Sequence, residues 1–302
     1  TSTDVDGTVV TRFDFAFGSY TTNFIAILNH NMTTATAKFK VGYGTEAQVE
    51  TVGFTGGSVI NPSVMLNGSV GSSTVTPQSD GHTLITFNSA GSSQAEGTYS
   101  VVIEPSIDGT TVITFPEQDL RYWGIQFEGS NSGNFSATDL KIGCILIGEY
   151  YDMPHSPDLS VKRSIKFDKQ KIQESLGGQR FSSMTSYGKS FISDQNKSPF
   201  HDYTANGARG MYGGRMTYDM KFSYLNATDI MPDDYSSYND NSVVDDIWSA
   251  THGSHHPFIF TQDGTSTSES DYLFARFGQD KLDMTQVAPD VFNVAMKIEE
   301  EF

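Results

Sequence analysis

The chain has 302 residues, of which 37% are hydrophobic and 18% charged, with 21 Phe, 14 Tyr, 28 Gly and one cysteine. Its 19 Lys and Arg against 36 Asp and Glu leave a formal charge of −17. So many aromatics exclude a fully disordered chain, Cys144 alone excludes a disulfide framework, and the acidic balance disfavours a general nucleic-acid binder, which needs a basic footprint.

The length suits one large domain or two ordinary ones, each able to bury a core. No run approaches about 18 apolar residues, so no spanning helix is expected. Residues 1–15 have neither a basic start nor an apolar run, so no secretory leader is expected there. Residues 1–150 hold 5 Lys and Arg against 14 Asp and Glu, while residues 151–302 hold 14 against 22. This shift in composition predicts two domains, residues 1–152 and 153–302.

In chain order, residues 11–17 alternate, with Phe13, Phe15 and Phe17 on one side. Residues 23–28 form a short apolar run, and residues 36–43, 83–87, 99–103 and 122–127 alternate again. Short runs rich in β-branched and aromatic residues, bounded by Gly, Asn, Ser or Pro, predict a β-sandwich or barrel. No three-turn helical period interrupts them. Residues 140–149 are nearly all apolar and predict a central strand covered on both faces. Pro154 and Pro157 then stiffen a connector.

The second half opens with alternation over residues 159–167, a turn, and a second strand over residues 171–176 that ends at Gly177 and Gly178. Residues 214–225 place Met216, Tyr218, Met220, Phe222 and Tyr224 on one face of a long strand. Ser242 with Asp245 three residues on predicts a helix start, and Gly253 its stop. Residues 257–260, 272–277 and 291–298 read as further strands. The fold class expected is therefore all-β, with two antiparallel sandwich or jelly-roll-like domains and one short helix in the second.

Chemical motifs are sparse. His252, His255 and His256 cluster, with Asp245, Asp246 and Asp263 as further ligands in a metal reading, yet zinc spacing is not met. A polar loop at a helix exit accounts for them better, and no metal is expected. The acidic runs at residues 4–7 and 229–246 lack the ligand order of a calcium loop. Residues 129–133 have Asn131 where a nucleophile elbow needs Ser, and residues 188–190 match only the tail of a phosphate loop. Glu104, Asp108, Glu117, Asp119 and Glu128 fall near strand ends, with nothing to single out an acid–base pair. Cys144 reads as an inert core thiol. No catalytic residue, cofactor or enzymatic activity is expected.

The most distinctive pattern is a basic strip. Lys162, Arg163, Lys166, Lys169, Lys171 and Arg180 fall within 19 positions of a strongly acidic chain. They read either as an edge hairpin guarded by charge or as a surface complementary to an acidic copy or partner.

Residues 121–127 (RYWGIQF) followed by residues 140–148 (LKIGCILIG) resemble the closing strands of galactose-binding-like jelly rolls, which occur as modules of phage tail proteins. The second half resembles tail and baseplate proteins of tailed bacteriophages, of the distal tail or minor tail type. The resemblance rests on the basic opening to Gly177-Gly178, the strand over residues 215–225, the helix leading to Pro257-Phe258-Ile259-Phe260, and the ending Lys297-Ile298-Glu299-Glu300. It implies a virion structural protein in the tail, present in host cytoplasm during assembly. Its partners would be copies of itself in a ring of six or three, and neighbouring virion proteins. The alternative is a carbohydrate-binding module contacting a host glycan, with Tyr122 and Trp123 as sugar contacts.

Overall fold

The computed structural model describes residues 2–5, 8–16, 18–50, 58–59, 64–66, 68–70, 73–77, 83–87, 103–105, 109–129, 135, 139–166, 170–184, 215–232, 242–266 and 271–301. They fall into two compact units, Thr1–Tyr150 with Thr265–Glu269, and Tyr151–Gly264 with Ser270–Phe302. Both are built of antiparallel strands, so the all-β expectation holds.

The first unit contains β1 (Ser2–Val5), β2 (Thr8–Asp14), β3 (Tyr20–His30), β4 (Ala37–Gly44), β5 (Ser58–Val59), β6 (Val64–Leu66) and β7 (Gly68–Val70). It continues with β8 (Ser73–Pro77), β9 (Thr83–Phe87), β10 (Ile103–Pro105), β11 (Gly109–Leu120), β12 (Tyr122–Gly129) and β13 (Ile142–Gly148). A seven-stranded sheet runs β1-β2-β12-β4-β10-β7, with β5 beside β4; a four-stranded sheet runs β13-β3-β11-β6; β8 and β9 pair separately. Alternate residues of facing strands enter one core. Ile25, Ile27, Ile113 and Phe115 from the smaller sheet meet Phe39, Val41, Trp123, Ile125 and Phe127 from the larger. One short helix, α1 (Glu46–Glu50), follows β4 and is too brief to leave a helical period in the sequence.

Two expectations change here. Residues 140–149 do not form a central strand. Among the described residues β13 pairs only with β3 and ends its sheet, with most of its residues half-buried. β3, between β13 and β11, is covered on both faces, and its Ile25, Ala26, Ile27 and Leu28 are all fully buried. An apolar run reports coverage on two faces, not which strand has two neighbours. Of the strand expected over residues 99–103, residues 99–102 lie outside the described residues, as does Phe17.

The second unit contains β14 (Lys162–Lys166), β15 (Gln170–Glu174), β16 (Arg180–Met184), β17 (Arg215–Asn226), β18 (Phe258–Thr261), β19 (Tyr272–Phe277), β20 (Met284–Ala288) and β21 (Val291–Glu300). A six-stranded sheet runs β14-β17-β21-β19-β18, with β20 also beside β21. Tyr218, Met220 and Phe222 of β17 and Val294, Met296 and Ile298 of β21 form its buried face. A short helix α2 (Ala227–Ile230) and a π-helical segment (Val243–Ser249) contribute Ile230, Val243, Ile247 and Trp248 to the same core.

The π-helical segment starts as its sequence predicts: the Ser242 hydroxyl oxygen accepts from the Asp245 N–H at 3.2 Å. The Ala250 N–H then donates to the Asp245 carbonyl, five residues back. Gly253 closes the turn at φ +65°, and a Cβ there would lie 3.3 Å from the Trp248 ring. The long strand β17 departs from its predicted face. Tyr224 has φ +62° and is 75% exposed, because the β17–β21 register shifts between Phe222 and Leu225.

The proline-bearing connector is tied down. The Asp158 N–H donates to the Lys221 carbonyl at 2.8 Å, and the Ser223 hydroxyl donates to the Asp158 carboxylate at 2.7 Å. Tyr151 packs on the second core. Burial, helped by Asp246 and Asp229, pushes its phenol from 10.0 to about 12. A group whose folded state holds its proton more tightly contributes stability below its unfolded pKa and loses it as pH rises through the folded one. The unfolding free energy is therefore expected to fall between about pH 10 and 12 more steeply in the wild type than in Tyr151→Phe, as measured by urea titration at stepped pH.

Candidate functional site

The basic strip is divided between two sheets. Lys162, Arg163 and Lys166 lie on β14, Lys171 on β15 and Arg180 on β16, while Lys169 lies outside the described residues. The expected hairpin of β14 with β15 is corrected: β14 pairs with β17, and β15 pairs with β16 through the turn at Gly177 and Gly178. Alternation marks a strand and its faces but says nothing about its partner, and the partner of β14 begins about 50 residues on.

The five described cations differ in their use. The Arg163 guanidinium lies 5.0 Å from the centre of the Tyr218 ring and donates to the Tyr218 hydroxyl, with Nε at 2.7 Å. That hydroxyl is the polar tip of a side chain only 2% exposed, so Arg163 serves the fold by capping the core at its edge. Lys162 stands opposite Asp219 across β14 and β17, a favourable cross-strand pair. Arg180 reaches Glu174 at 3.3 Å across its ribbon, but with the Arg180 side chain 76% exposed this pair adds little. Lys162, Lys166, Lys171 and Arg180 are all exposed.

Charge alone does not make this surface unusual; the apolar residues between the charges do. Leu159, Ile165, Ile172, Leu176 and Phe181 are exposed, 5 of the 11 exposed large hydrophobics among the described residues. In the ribbon β15–β16, Ile172 faces one side and Phe181 the other, since each stands opposite a different residue parity of its partner. Every ribbon residue with a described side chain is exposed. A two-stranded ribbon with neither face covered is marginal in water. Alternation over residues 159–167 marks Leu159 and Ile165 as one apolar face, and nothing in the sequence marks any of the five as exposed. Nor does it mark the exposed edge β20, with Met284 and Val287, whose five residues show no strong alternation.

The sugar-contact residues separate. Trp123 is fully buried in the first core, 5.6 Å from the Phe115 ring and 5.4 Å from that of Tyr43, and its indole N–H donates to the Leu120 carbonyl at 3.2 Å. A ligand at the surface does not reach it, which corrects that assignment. The neighbouring residue of a strand points the other way, so Tyr122 lies on the opposite face, half-buried. The Arg121 guanidinium, held by Asp14 at 2.8 Å, sits 4.9 Å from the Tyr122 ring centre and occupies one of its two faces. The Arg121 hydrogen bond also keeps the Asp14 carboxyl below its usual range.

The histidines crowd together on the surface, with ring centres 4.5 Å apart for His255 and His256 and 5.1 Å for His252 and His256. Desolvation first, then the charges of His255, His252 and Arg276, hold the exposed His256 imidazole below its ordinary value. Among the described residues no three His, Cys, Asp or Glu side chains are placed to share a metal ion. Asp108, residues 233–240 and residues 188–190 lie outside the described residues. Burial pushes the half-buried Cys144 thiol up. Among the described residues no helix is long and apolar enough to cross a membrane.

Comparison with family models, curated proteins and solved structures finds no match to this chain.

Proposed function

We propose that this chain is a structural subunit that assembles by protein–protein contacts through its second unit, in a tail or baseplate ring of a tailed-bacteriophage virion. The observation that carries the assembly reading is the exposure of Leu159, Ile165, Ile172, Leu176 and Phe181, near exposed cations in the sequence, on β14, the segment before it and the β15–β16 ribbon. A ligand pocket needs concave walls; an assembly surface needs apolar area that another protein covers, framed by charges that set orientation. The placement in a phage tail rests on the resemblance of residues 140–302. Copies of the chain in a ring of six or three, with neighbouring virion proteins, are the partners in this reading. The glycan-binding alternative has lost Trp123 as a contact and keeps Tyr122 with one ring face taken.

The test is light scattering of the purified chain over a wide concentration range, with electron microscopy of the same samples and of purified particles. A closed oligomer, or a copy located in the tail, is expected. A chain that stays monomeric at every concentration and occupies no place in the particle would sink the proposal.

A further inference from the structure

We propose that copies of this chain join edge to edge, the β14 edge of one copy adding as a strand to the β20 edge of the next. This rests on the assembly reading above and names the two strands and the partner, a second copy of the chain.

Among the described residues β14 pairs only with β17, and β20 only with β21. Among those residues each therefore leaves one backbone edge of the six-stranded sheet open, and an open edge is a template for a further strand. Both edges hold apolar side chains in water: Ile165 on β14 is 62% exposed, and Met284 and Val287 on β20 are 40% and 49% exposed. Their charges are complementary. Within its five residues β14 carries Lys162, Arg163 and Lys166, whereas β20 carries no charge and is flanked by Asp280, Asp283 and Asp290 against the single cation Lys281.

Strand direction fits as well. β14 is antiparallel to β17, β17 to β21, and β21 to β20, so β14 and β20 run in opposite senses within one copy. A neighbour generated by rotation about an axis roughly along the strands keeps those senses, which makes the new junction antiparallel, the more stable pairing. Pairing β14 with β14 would instead bring cations opposite cations. The charges on β14 thus disfavour its own two-fold pairing, whereas the β14–β20 contact is head-to-tail, which closes into a ring or runs on as a filament. The two edges are also offset: β14 lies beside residues 215–219 of β17, while β20 lies beside residues 291–294 of β21, level with the far end of β17. A junction with that offset shears the sheet, as closure of tilted strands requires.

In a Cys144→Ser background, the chain carrying both Ile165→Cys and Gln286→Cys is treated with a short bismaleimide linker. A ladder of covalent oligomers is expected, with single dimers from a mixture of the two single variants and none from either variant alone. Lys162→Glu with Lys166→Glu is expected to weaken association about tenfold or more at low salt, and adding Asp283→Lys to recover part of it. Recovery cannot come from a misfolded chain, so the charge series stands even where the cysteine variants fold poorly. Oligomers by light scattering with no ladder and no charge rescue would overturn this junction while leaving the assembly reading intact. A monomer at every concentration would overturn both.

Discussion

Trp123→Ala is expected to destabilise the first unit by about 3–5 kcal/mol, the range for removing a fully buried large aromatic. Trp123 is 0% exposed and lies where the two sheets meet, between Phe115 of β11 and Tyr43 of β4. Its removal leaves a cavity that neither sheet can close without moving the other, and it strips the Leu120 carbonyl of its donor. Against a total stability of about 5–15 kcal/mol, such a loss is a large fraction. Urea denaturation followed by amide hydrogen exchange in peptides covering β3, β4 and β12 measures it. Exchange unchanged from wild type would mean that Trp123 is not a core residue in solution. The result also decides how a glycan experiment is read. Sugar binding lost on Trp123→Ala reports a damaged core, whereas Tyr122→Ala changes the surface on the other side of the same strand and is the variant that tests contact.

Sequence patterns carried the strands but not their partners. The strands expected over residues 83–87 and 272–277 are β9 and β19 to the residue, because period-two alternation is a local property of the chain. β11 left no such trace, although it has 12 residues. Pro116 and the polar stretch after it break the alternation of residues 109–120, and the structure absorbs them in a register shift between Thr114 and Gln118. Pairing is non-local, so the separation of β14 from β15 and the edge position of β13 had no local signature. The candidate surface was half legible. Its cations stood out in an acidic chain, while Leu159 and Ile165 belonged to an alternating apolar face and Phe181 to no expected element. What makes them a surface is the absence of a covering neighbour among the described residues, which no spacing encodes.

The sharpest case is β17, where alternation assigns Phe222 and Tyr224 to one face. If that held to the strand's end, both truncations would damage the core. The structure separates them. Phe222 is 3% exposed opposite Val294, whereas Tyr224, two residues later, is turned outward at φ +62° with its N–H donating to the Asn293 side chain at 3.2 Å. Leu225, fully buried, takes the inward place that Tyr224 vacates. Phe222→Ala is therefore expected to lower the stability of the second unit by about 3–5 kcal/mol, and Tyr224→Ala by less than about 1 kcal/mol. A bulky residue in the left-handed region is held there by its surroundings at a strain of about 1–2 kcal/mol, so Tyr224→Gly is expected to fall on the stabilising side of Tyr224→Ala. Denaturation midpoints, with hydrogen exchange in peptides covering residues 215–226 and 291–300, give all three values. Equal losses for Phe222→Ala and Tyr224→Ala would mean that the bulge is not formed and that β17 keeps its regular alternation to its end.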